Sequence, residues 1–323
     1  MGEQLRVAVA GASGIGKHHA KWYHQAGCEV VGFLGRSEDS CVPTERVLTE
    51  LFGFSGKGYW DMGQLLAEQH PDIVDVCIPN EQHFDCVVQA LEAGAHVLCE
   101  KPLVWCGGEG PERLLARGKV LIDKARNAGL HFGVCTQYAA ALPYYRQLYE
   151  PAHGSLEGIT DFYAEMETLA RGRLRAATDV WVDMGPHPLT LLLEWMPNGR
   201  IVEDSLRAEF VGSEAHLIFD FVDGGNVCHS EIVVRDLREG KPLRRFGVNG
   251  FLVDCEGRND AEGVYRSVLQ WRKREAMGED FMALLIARFA DAVRRVAPEP
   301  LVTGETGLRN LELQLQLMLS EVW

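Results

Sequence analysis

The sequence predicts an α/β protein whose first half forms a doubly wound parallel sheet. Short apolar strands alternate there with helical segments, and the first strand, 5–10, runs directly into a glycine turn, 11–16. The last strand of this series, 96–99, is followed by Glu100, Lys101 and Pro102. Sheets of this kind bind their ligands beyond the carboxyl ends of the strands. We therefore expect the functional residues of this half at that edge.

The turn after the first strand reads Gly11-Ala12-Ser13-Gly14-Ile15-Gly16, and a helical stretch, 17–26, follows it. Such a turn lets backbone N–H groups approach a pyrophosphate, and the positive end of the helix dipole faces the same charge. The candidate phosphate-binding residues are Gly11, Ser13, Gly14, Ile15 and Gly16. Ser13 occupies the position of the middle glycine in G-x-G-x-x-G, so a tight turn without a ligand is the alternative.

The residues after the second strand, 29–34, indicate which dinucleotide binds. Sites that prefer NAD commonly place a carboxylate here on the ribose 2′-hydroxyl, whereas this sequence has Arg36 and Ser37. A guanidinium and a hydroxyl can bind a 2′-phosphate, so these two residues favour NADP. Two acidic residues follow them and leave NAD as the second choice. A solvated loop charge is the alternative interpretation of Arg36.

Two polar stretches follow later strands, and a third motif lies farther along the chain. Strand 73–78 leads into Pro79-Asn80-Glu81-Gln82-His83, and strand 96–99 leads into Glu100-Lys101-Pro102. Both should lie at the ligand-binding edge. Asp183-Met184-Gly185-Pro186-His187 precedes a predicted apolar helix, 189–195. Its Asp and His are expected to project from the start of that helix on one side.

Length, composition and net charge restrict the classes of function that the sequence supports. At 323 residues the chain is long enough for two domains. Its formal net charge of −14 disfavours nonspecific binding to nucleic acid or anionic membranes. No run approaches the roughly twenty apolar residues of a membrane helix, and the first residues lack a secretory pattern, so we expect a cytoplasmic protein. The nine cysteines include no Cys-x-x-Cys pair; we expect mostly buried thiols and no metal site.

Four motifs together resemble one family of oxidoreductases. They are the glycine turn, Ile78-Pro79-Asn80 with His83, the run 93–103 around Glu100-Lys101-Pro102, and Asp183-x-Gly185-x-His187. This combination resembles the Gfo/Idh/MocA family of glucose-fructose oxidoreductases and inositol dehydrogenases. The resemblance implies a Rossmann domain at 1–130 and, at 131–323, an α/β domain with a large, open, mixed and mainly antiparallel sheet. It also implies a homodimer or homotetramer formed through that sheet.

The resemblance also implies roles for individual residues. Lys101 would hold a substrate hydroxyl and stabilise the developing alkoxide, His187 would take the hydroxyl proton, and Asp183 would orient His187 or the substrate. The residues implied to line the cofactor edge are Pro79, Asn80, His83, Glu100 and Lys101. A structural histidine with a capping aspartate, and a helix cap at Asn80, are the alternatives. In such relatives the peptide bond before Pro102 is often cis.

Two features depart from the family pattern and concern the substrate pocket. Residues 104–118 lengthen the connection after Lys101-Pro102, and Gln137-Tyr138 stands where many relatives carry an arginine before the aromatic residue.

Two further groups of basic residues each have two possible roles in the prediction. Arg171, Arg173 and Arg175 either recognise a carboxylate or phosphate of the substrate or form an arginine-rich surface loop. His18 and His19 open the first helix and either contact a phosphate or are partly exposed; we expect both to be partly exposed and outside the site.

The sequence therefore favours an NAD(P)-dependent oxidoreductase that acts on a secondary alcohol or ketone of a sugar, cyclitol or similar polyol. Two alternatives stay open: a non-catalytic dinucleotide-binding sensor or scaffold, and a reductase of an imine or another nonsugar substrate. The sensor is disfavoured because Lys101, Asp183 and His187 are all present. Nucleophile-elbow, zinc-protease and Walker motifs are absent from the sequence, so hydrolase and kinase functions have no support.

Overall fold

A six-stranded sheet organises the first part of the chain. The computed structural model describes residues 4–319, and the strands of this sheet are β1 Arg6–Ala10, β2 Glu29–Leu34, β3 Lys57–Tyr59, β4 Ile73–Val76, β5 His96–Glu100 and β6 Phe132–Cys135. They pair in parallel in the order β3-β2-β1-β4-β5-β6. The strand order reverses between β1 and β4, which is where open α/β sheets bind ligands. The predicted doubly wound parallel sheet is confirmed.

Helices alternate with these strands as the sequence predicts. They are α1 Gly16–Gln25, α2 Glu38–Phe52, α3 Met62–Gln69, α4 His83–Glu92 and α5 Pro111–Ala128. Every residue of β4 and β6 is buried, because parallel strands are covered on both faces. The lengthened connection after Lys101-Pro102 is an irregular segment that ends at the start of α5. Glu109 of this segment pairs with Arg113 and Arg117 of α5.

A nine-stranded sheet organises most of the remaining chain. Its strands are β7 Asp161–Leu169, β8 Arg200–Ile201, β9 Arg207–Val211, β10 Glu214–Asp223, β11 Asn226–Leu237, β12 Arg244–Val248, β13 Phe251–Asn259, β14 Tyr265–Trp271 and β15 Arg274–Gly278. Their order is β15-β14-β13-β12-β7-β11-β10-β8, and β9 pairs with β10. Strands β7 and β11 are parallel, and the other paired strands are antiparallel. The predicted mixed, mainly antiparallel sheet is confirmed.

Five further α-helices occur in the described chain after β6. They are α6 Leu142–His153, α7 Ala177–Met184, α8 Pro186–Trp195, α9 Phe281–Val293 and α10 Gly304–Leu319. On α7, Trp181 donates its indole N–H to the carbonyl of Gln314 on α10 at 3.1 Å, and the Gln314 amide donates back to the carbonyl of Trp181. This reciprocal pair fixes α7 against α10. Within residues 4–319, none of the helices has both the length and the apolar character that a bilayer crossing requires.

The chain forms two compact units. Among the described residues, the first unit comprises 4–135 and Met282–Leu308, and the second comprises Thr136–Phe281 and 309–319. The first junction is near the predicted division at 130/131, whereas 282–308 falls within the predicted second domain. Glycine permits the close packing of this returning segment, because a Cβ at Gly307 would lie 2.4 Å from Cγ2 of Val134 on β6.

A buried ion cluster connects α1 to the carboxyl ends of β4 and β5. The side chain of His19 is completely buried, with Nδ1 3.1 Å from Oδ2 of Asp75 and Nε2 3.4 Å from Oε1 of Glu100. The thiol of Cys77 donates to Asp75 at 3.1 Å. Burial alone would lower the pKa of His19, but Asp75 and Glu100 raise it to about 10. The predicted partial exposure is wrong for His19, because its side chain is completely buried, and the two neighbouring carboxylates favour its protonated form.

We expect the pH dependence of stability to report this ion cluster. The pKa of His19, about 10 in the folded protein, exceeds its ordinary value of 6.5, so its stabilisation is complete below pH 6.5 and is lost as the pH rises through 10. Between pH 6.5 and 8.5 the free energy of unfolding of the wild type should fall by about 1.4 kcal/mol per pH unit more steeply than that of His19→Gln. Urea unfolding at several pH values in this range measures the two slopes.

Another histidine on the same helix supplies a matched control. His24 is exposed and is not a member of the cluster, so His24→Gln should keep the wild-type slope, whereas Asp75→Asn should flatten it in the same direction as His19→Gln. Parallel curves for the wild type and His19→Gln would contradict a charged His19.

Candidate active site

A cavity of about 960 Å³ in the first unit lies beside the glycine turn. The predicted cofactor residues that line it are Gly11, Ser13, Gly14, Arg36 and Pro79. They come from the carboxyl ends of β1, β2 and β4, so the sheet topology gathers them as the sequence analysis expects. Lys17, Ser40, Thr44 and Trp60 also line the cavity and were not predicted.

The glycine turn has a backbone that other residues would disrupt. Gly11 has φ of +90°, and a Cβ there would lie 2.6 Å from the carbonyl oxygen of Cys77. A Cβ at Gly16 would lie 2.5 Å from the carbonyl oxygen of Gly11. At Gly14, by contrast, a Cβ would meet no described protein atom within 4 Å. The turn is thus packed tightly on its inner side and open at Gly14.

Helix α1 presents its amino terminus next to the open side of the turn. Its N-cap residue is Ile15, and no side chain of the described protein caps the helix there. The first N–H groups of a helix lack intrahelical partners and carry the positive end of the dipole. The backbone N–H groups at this position suit a phosphate group. Gly11 and Gly16 lack a Cβ, so the backbone of the turn can pack close to the sheet.

The end of β2 supplies the second part of the cavity. Arg36 is exposed and lines it, whereas Ser37 is the N-cap of α2. The backbone N–H of Ser37 donates to Oγ of Ser40 at 3.0 Å, and that hydroxyl donates to the carbonyl of Ser37 at 2.7 Å. Ser37 therefore has a structural role as a helix cap, and Ser40 is the serine that lines the cavity. Lys17 adds a second cationic side chain.

The segment after β4 places its predicted residues in different environments. Pro79 is exposed and Asn80 is half-buried, at the start of a short 3₁₀ turn, Asn80–Gln82. His83 is completely buried, with Nδ1 3.0 Å from the carbonyl oxygen of Pro102 and Nε2 3.0 Å from that of Ile78. Burial lowers the pKa of His83 below its ordinary value. In the structure His83 thus braces two backbone segments.

Lys101 directly follows β5 at the same sheet edge. Its backbone N–H donates to Oε2 of Glu100 at 3.2 Å, and the peptide bond between Lys101 and Pro102 is cis. Glu100 also lies beside His19, and His83 contacts the carbonyl of Pro102. Neighbours on both sides therefore fix the backbone that carries Lys101.

The second unit holds the other two predicted catalytic residues. His187 lies in the first turn of α8 and is buried, whereas Asp183 lies in the last turn of α7. The prediction that both project from the start of one helix is wrong, because α8 begins at Pro186 and the chain turns at Gly185. A Cβ at Gly185 would lie 2.7 Å from the carbonyl oxygen of Trp181, so glycine allows the two helices to meet at this motif.

His187 is held by packing and by its helix. The ring of Tyr138 meets it edge to face at 5.1 Å. On α10, the Asn310 amide donates to the carbonyl of Pro186 at 2.7 Å and to Oγ1 of Thr190 at 2.9 Å, which fixes the first turn of α8. Tyr138 directly follows Gln137, the residue that stands where many relatives carry an arginine, so the departure is one residue away from a contact of the predicted base.

Asp183 has a partner that the sequence analysis did not assign. Nη1 of Arg175 donates to Oδ2 of Asp183 at 2.7 Å. Arg175 is half-buried, while Arg171 and Arg173 are exposed. The spacing of the arginines carries no signal for this pairing, because the segment before α7 has no regular period.

Comparison with known proteins supports a dinucleotide-binding fold for the first part of the chain. Residues 5–133 match the GFO_IDH_MocA family model, described as an oxidoreductase family with an NAD-binding Rossmann fold. The D-glucoside 3-dehydrogenase of Escherichia coli K12 is 35% identical over 128 residues, which are 39% of this chain and 32% of that protein. The D-xylose 1-dehydrogenase (NADP(+)) of Hypocrea jecorina is 35% identical over 103 residues, 32% of this chain and 25% of that protein. These alignments span about a third or less of either relative.

A solved structure extends the likeness in fold to both units. The UDP-N-acetylglucosamine 3-dehydrogenase of Acidithiobacillus ferrooxidans superposes with a TM-score of 0.74 at 22% identity, over 99% of this chain and 98% of that one. The match of residues 5–133 to the family model bears out the resemblance seen in the sequence. Residues 5–133 are an NAD-binding Rossmann domain of the Gfo/Idh/MocA family of oxidoreductases.

Proposed function

We propose that this protein is an NAD(P)-dependent oxidoreductase that transfers a hydride between nicotinamide and a secondary alcohol or ketone of a sugar, cyclitol or similar polyol. The observation that carries the proposal is the position of Lys101. It follows β5 at the sheet edge that also bears the glycine turn and the cavity, in the motif shared with the family. The names of the two curated relatives, a glucoside and a xylose dehydrogenase, support a sugar-like substrate.

The residues of the cavity fit a dinucleotide. Gly11 and Gly16 hold the turn in a form that a Cβ would block, and the uncapped start of α1 offers backbone donors to a pyrophosphate. When bound, the nicotinamide supplies the hydride acceptor or donor. Lys101 polarises the reacting oxygen and stabilises its negative charge, and His187 takes or returns the hydroxyl proton. Asp183 orients the proton path or the substrate.

Cofactor preference follows from the charges beside β2. Arg36 and Lys17 are cationic and line the cavity together with the hydroxyl of Ser40. Two cations and a hydroxyl complement a 2′-phosphate better than a free 2′-hydroxyl. We infer NADP as the preferred cofactor, with NAD as the alternative.

The setting of the enzyme is part of the proposal. All nine cysteines are free thiols, which favours a reducing compartment such as the cytoplasm. The net charge of −14 disfavours nucleic acid as a partner. We propose a homodimer or homotetramer through the nine-stranded sheet, where Ile218, Val211 and Val227 are exposed apolar residues.

Arg36 should decide the cofactor preference. NADPH should bind more tightly than NADH, and Arg36→Ala should weaken NADPH binding roughly 10- to 100-fold while leaving NADH binding within twofold, because a charge-assisted contact to phosphate is lost. Titration followed by reduced-nicotinamide fluorescence measures both constants. Arg46→Ala removes an exposed arginine of α2 that pairs with Glu50 and should leave both constants unchanged. Equal binding of the two nucleotides, unaffected by Arg36→Ala, would overturn the NADP assignment.

Lys101 and His187 should be needed for turnover far more than for cofactor binding. Lys101→Met and His187→Asn should each lower kcat roughly 10²- to 10⁴-fold, since each removes a group that stabilises charge or moves a proton in the transition state. Steady-state rates with a panel of polyols and ketones measure the loss, and NADPH titration of each variant confirms that the fold persists. Lys119→Met, an exposed lysine of α5, is the matched control.

The same panel separates the competing functions. Cofactor binding without turnover of any alcohol, ketone or imine would favour the sensor or scaffold. Turnover of imines alone would favour the nonsugar reductase.

A further inference from the structure

Arg175 joins the predicted catalytic aspartate to a buried carboxylate on the second sheet. Its Nη1 donates to Oδ2 of Asp183 at 2.7 Å, and its Nη2 donates to Oδ1 of Asp236 at 2.7 Å. Its Nε donates to Oδ2 of Asp236 at 3.0 Å, and its own backbone N–H donates to the same oxygen at 3.1 Å. All three guanidinium nitrogens are therefore engaged by these two carboxylates.

Asp236 is the fixed end of this arrangement. It lies near the end of β11, in the ladder with β7, and its side chain is completely buried. Burial raises the pKa of Asp236, but the hydrogen bonds from Arg175 outweigh that effect and hold it below its ordinary value. A bidentate fork on a buried carboxylate restricts the guanidinium more than a single contact would. Arg175 thus has one orientation relative to the sheet.

Asp183, the second carboxylate that Arg175 contacts, lies in a less favourable position than Asp236. It is about one-third exposed and lies in the last turn of α7, where the negative end of the helix dipole disfavours a carboxylate. The guanidinium offsets this repulsion and fixes the carboxylate next to the turn at Gly185 that leads to His187. The positive charge of Arg175 is matched by two carboxylates, so this arginine is a poor receptor for an anionic substrate group.

We propose that Arg175 is a positioning residue that, anchored on Asp236, sets the orientation of the Asp183 carboxylate for the reaction at His187. This inference rests on the proposed function of Asp183. It replaces both roles that the sequence leaves open for this arginine, substrate recognition and a surface loop.

A double-mutant cycle in turnover tests whether Arg175 acts through Asp183. Arg175→Met should lower kcat about 10- to 100-fold with less than a twofold change in NADPH affinity, and Arg175→Lys should recover part of the loss, because an ammonium can reach one carboxylate but cannot bridge both. In the Asp183→Asn background, Arg175→Met should cost less than a further twofold. Arg238→Met, an exposed arginine just beyond β11, should retain the wild-type kcat. Multiplicative losses in the two backgrounds, or wild-type kcat in Arg175→Met, would overturn the proposal.

A second readout does not depend on turnover. Arg175→Met should lower the urea midpoint of unfolding more in the wild-type background than in Asp183→Asn, since the contact exists only when both groups are present. If the wild type binds NADPH but converts no substrate, the proposed reaction fails while the unfolding cycle still tests the Arg175–Asp183 contact. Equal midpoint shifts in the two backgrounds would refute that contact, and the positioning role with it, whatever the activity.

Discussion

The first unit depends on one buried histidine between two carboxylates. His19 on α1 contacts Asp75 of β4 and Glu100 of β5, and Glu100 directly precedes Lys101. Removing one partner of a buried ion pair leaves the other charge without compensation, which costs on the order of 3–5 kcal/mol. The cluster therefore couples the position of the glycine turn, which opens α1, to the position of Lys101, which follows Glu100.

In the second unit an arginine, Arg175, holds a functional side chain in place. Asp183 must stay fixed at the end of a short helix, and a guanidinium does this by using a carboxylate of the sheet as its base. Lys101 and Asp183 are both half-exposed, while the ion pair that supports each of them has a fully buried member, Asp75 or Asp236. This division suits catalysis, because the reacting group needs access and its support needs rigidity.

Much of the fold could be predicted because local patterns determine it. Runs of apolar residues predicted the parallel strands, and Gly11 and Gly16 marked a turn that excludes a Cβ at those two positions. The burial of His19 could not be predicted, since its partners lie on other strands and its helix shows only a polar pair. The cavity role of Lys17 and Trp60, and the contact of Arg175 with Asp183, are likewise products of tertiary packing. The break at Gly185 was missed because two helices meet there without the loop that usually separates them.

The surroundings of Tyr138, which follows the residue that departs from the family pattern, include a cation from the second sheet. Burial raises the pKa of the Tyr138 hydroxyl, while the positive charge of the neighbouring Arg244 guanidinium, on β12, acts in the opposite direction. The ring of the same tyrosine packs against His187. A cation thus reaches this aromatic residue from the sheet, although the chain lacks the preceding arginine that many relatives carry. Strand β12 thus contributes neighbours to the aromatic residue beside His187, through Phe246 as well as Arg244, and a comparison of motifs along the sequence does not reveal them.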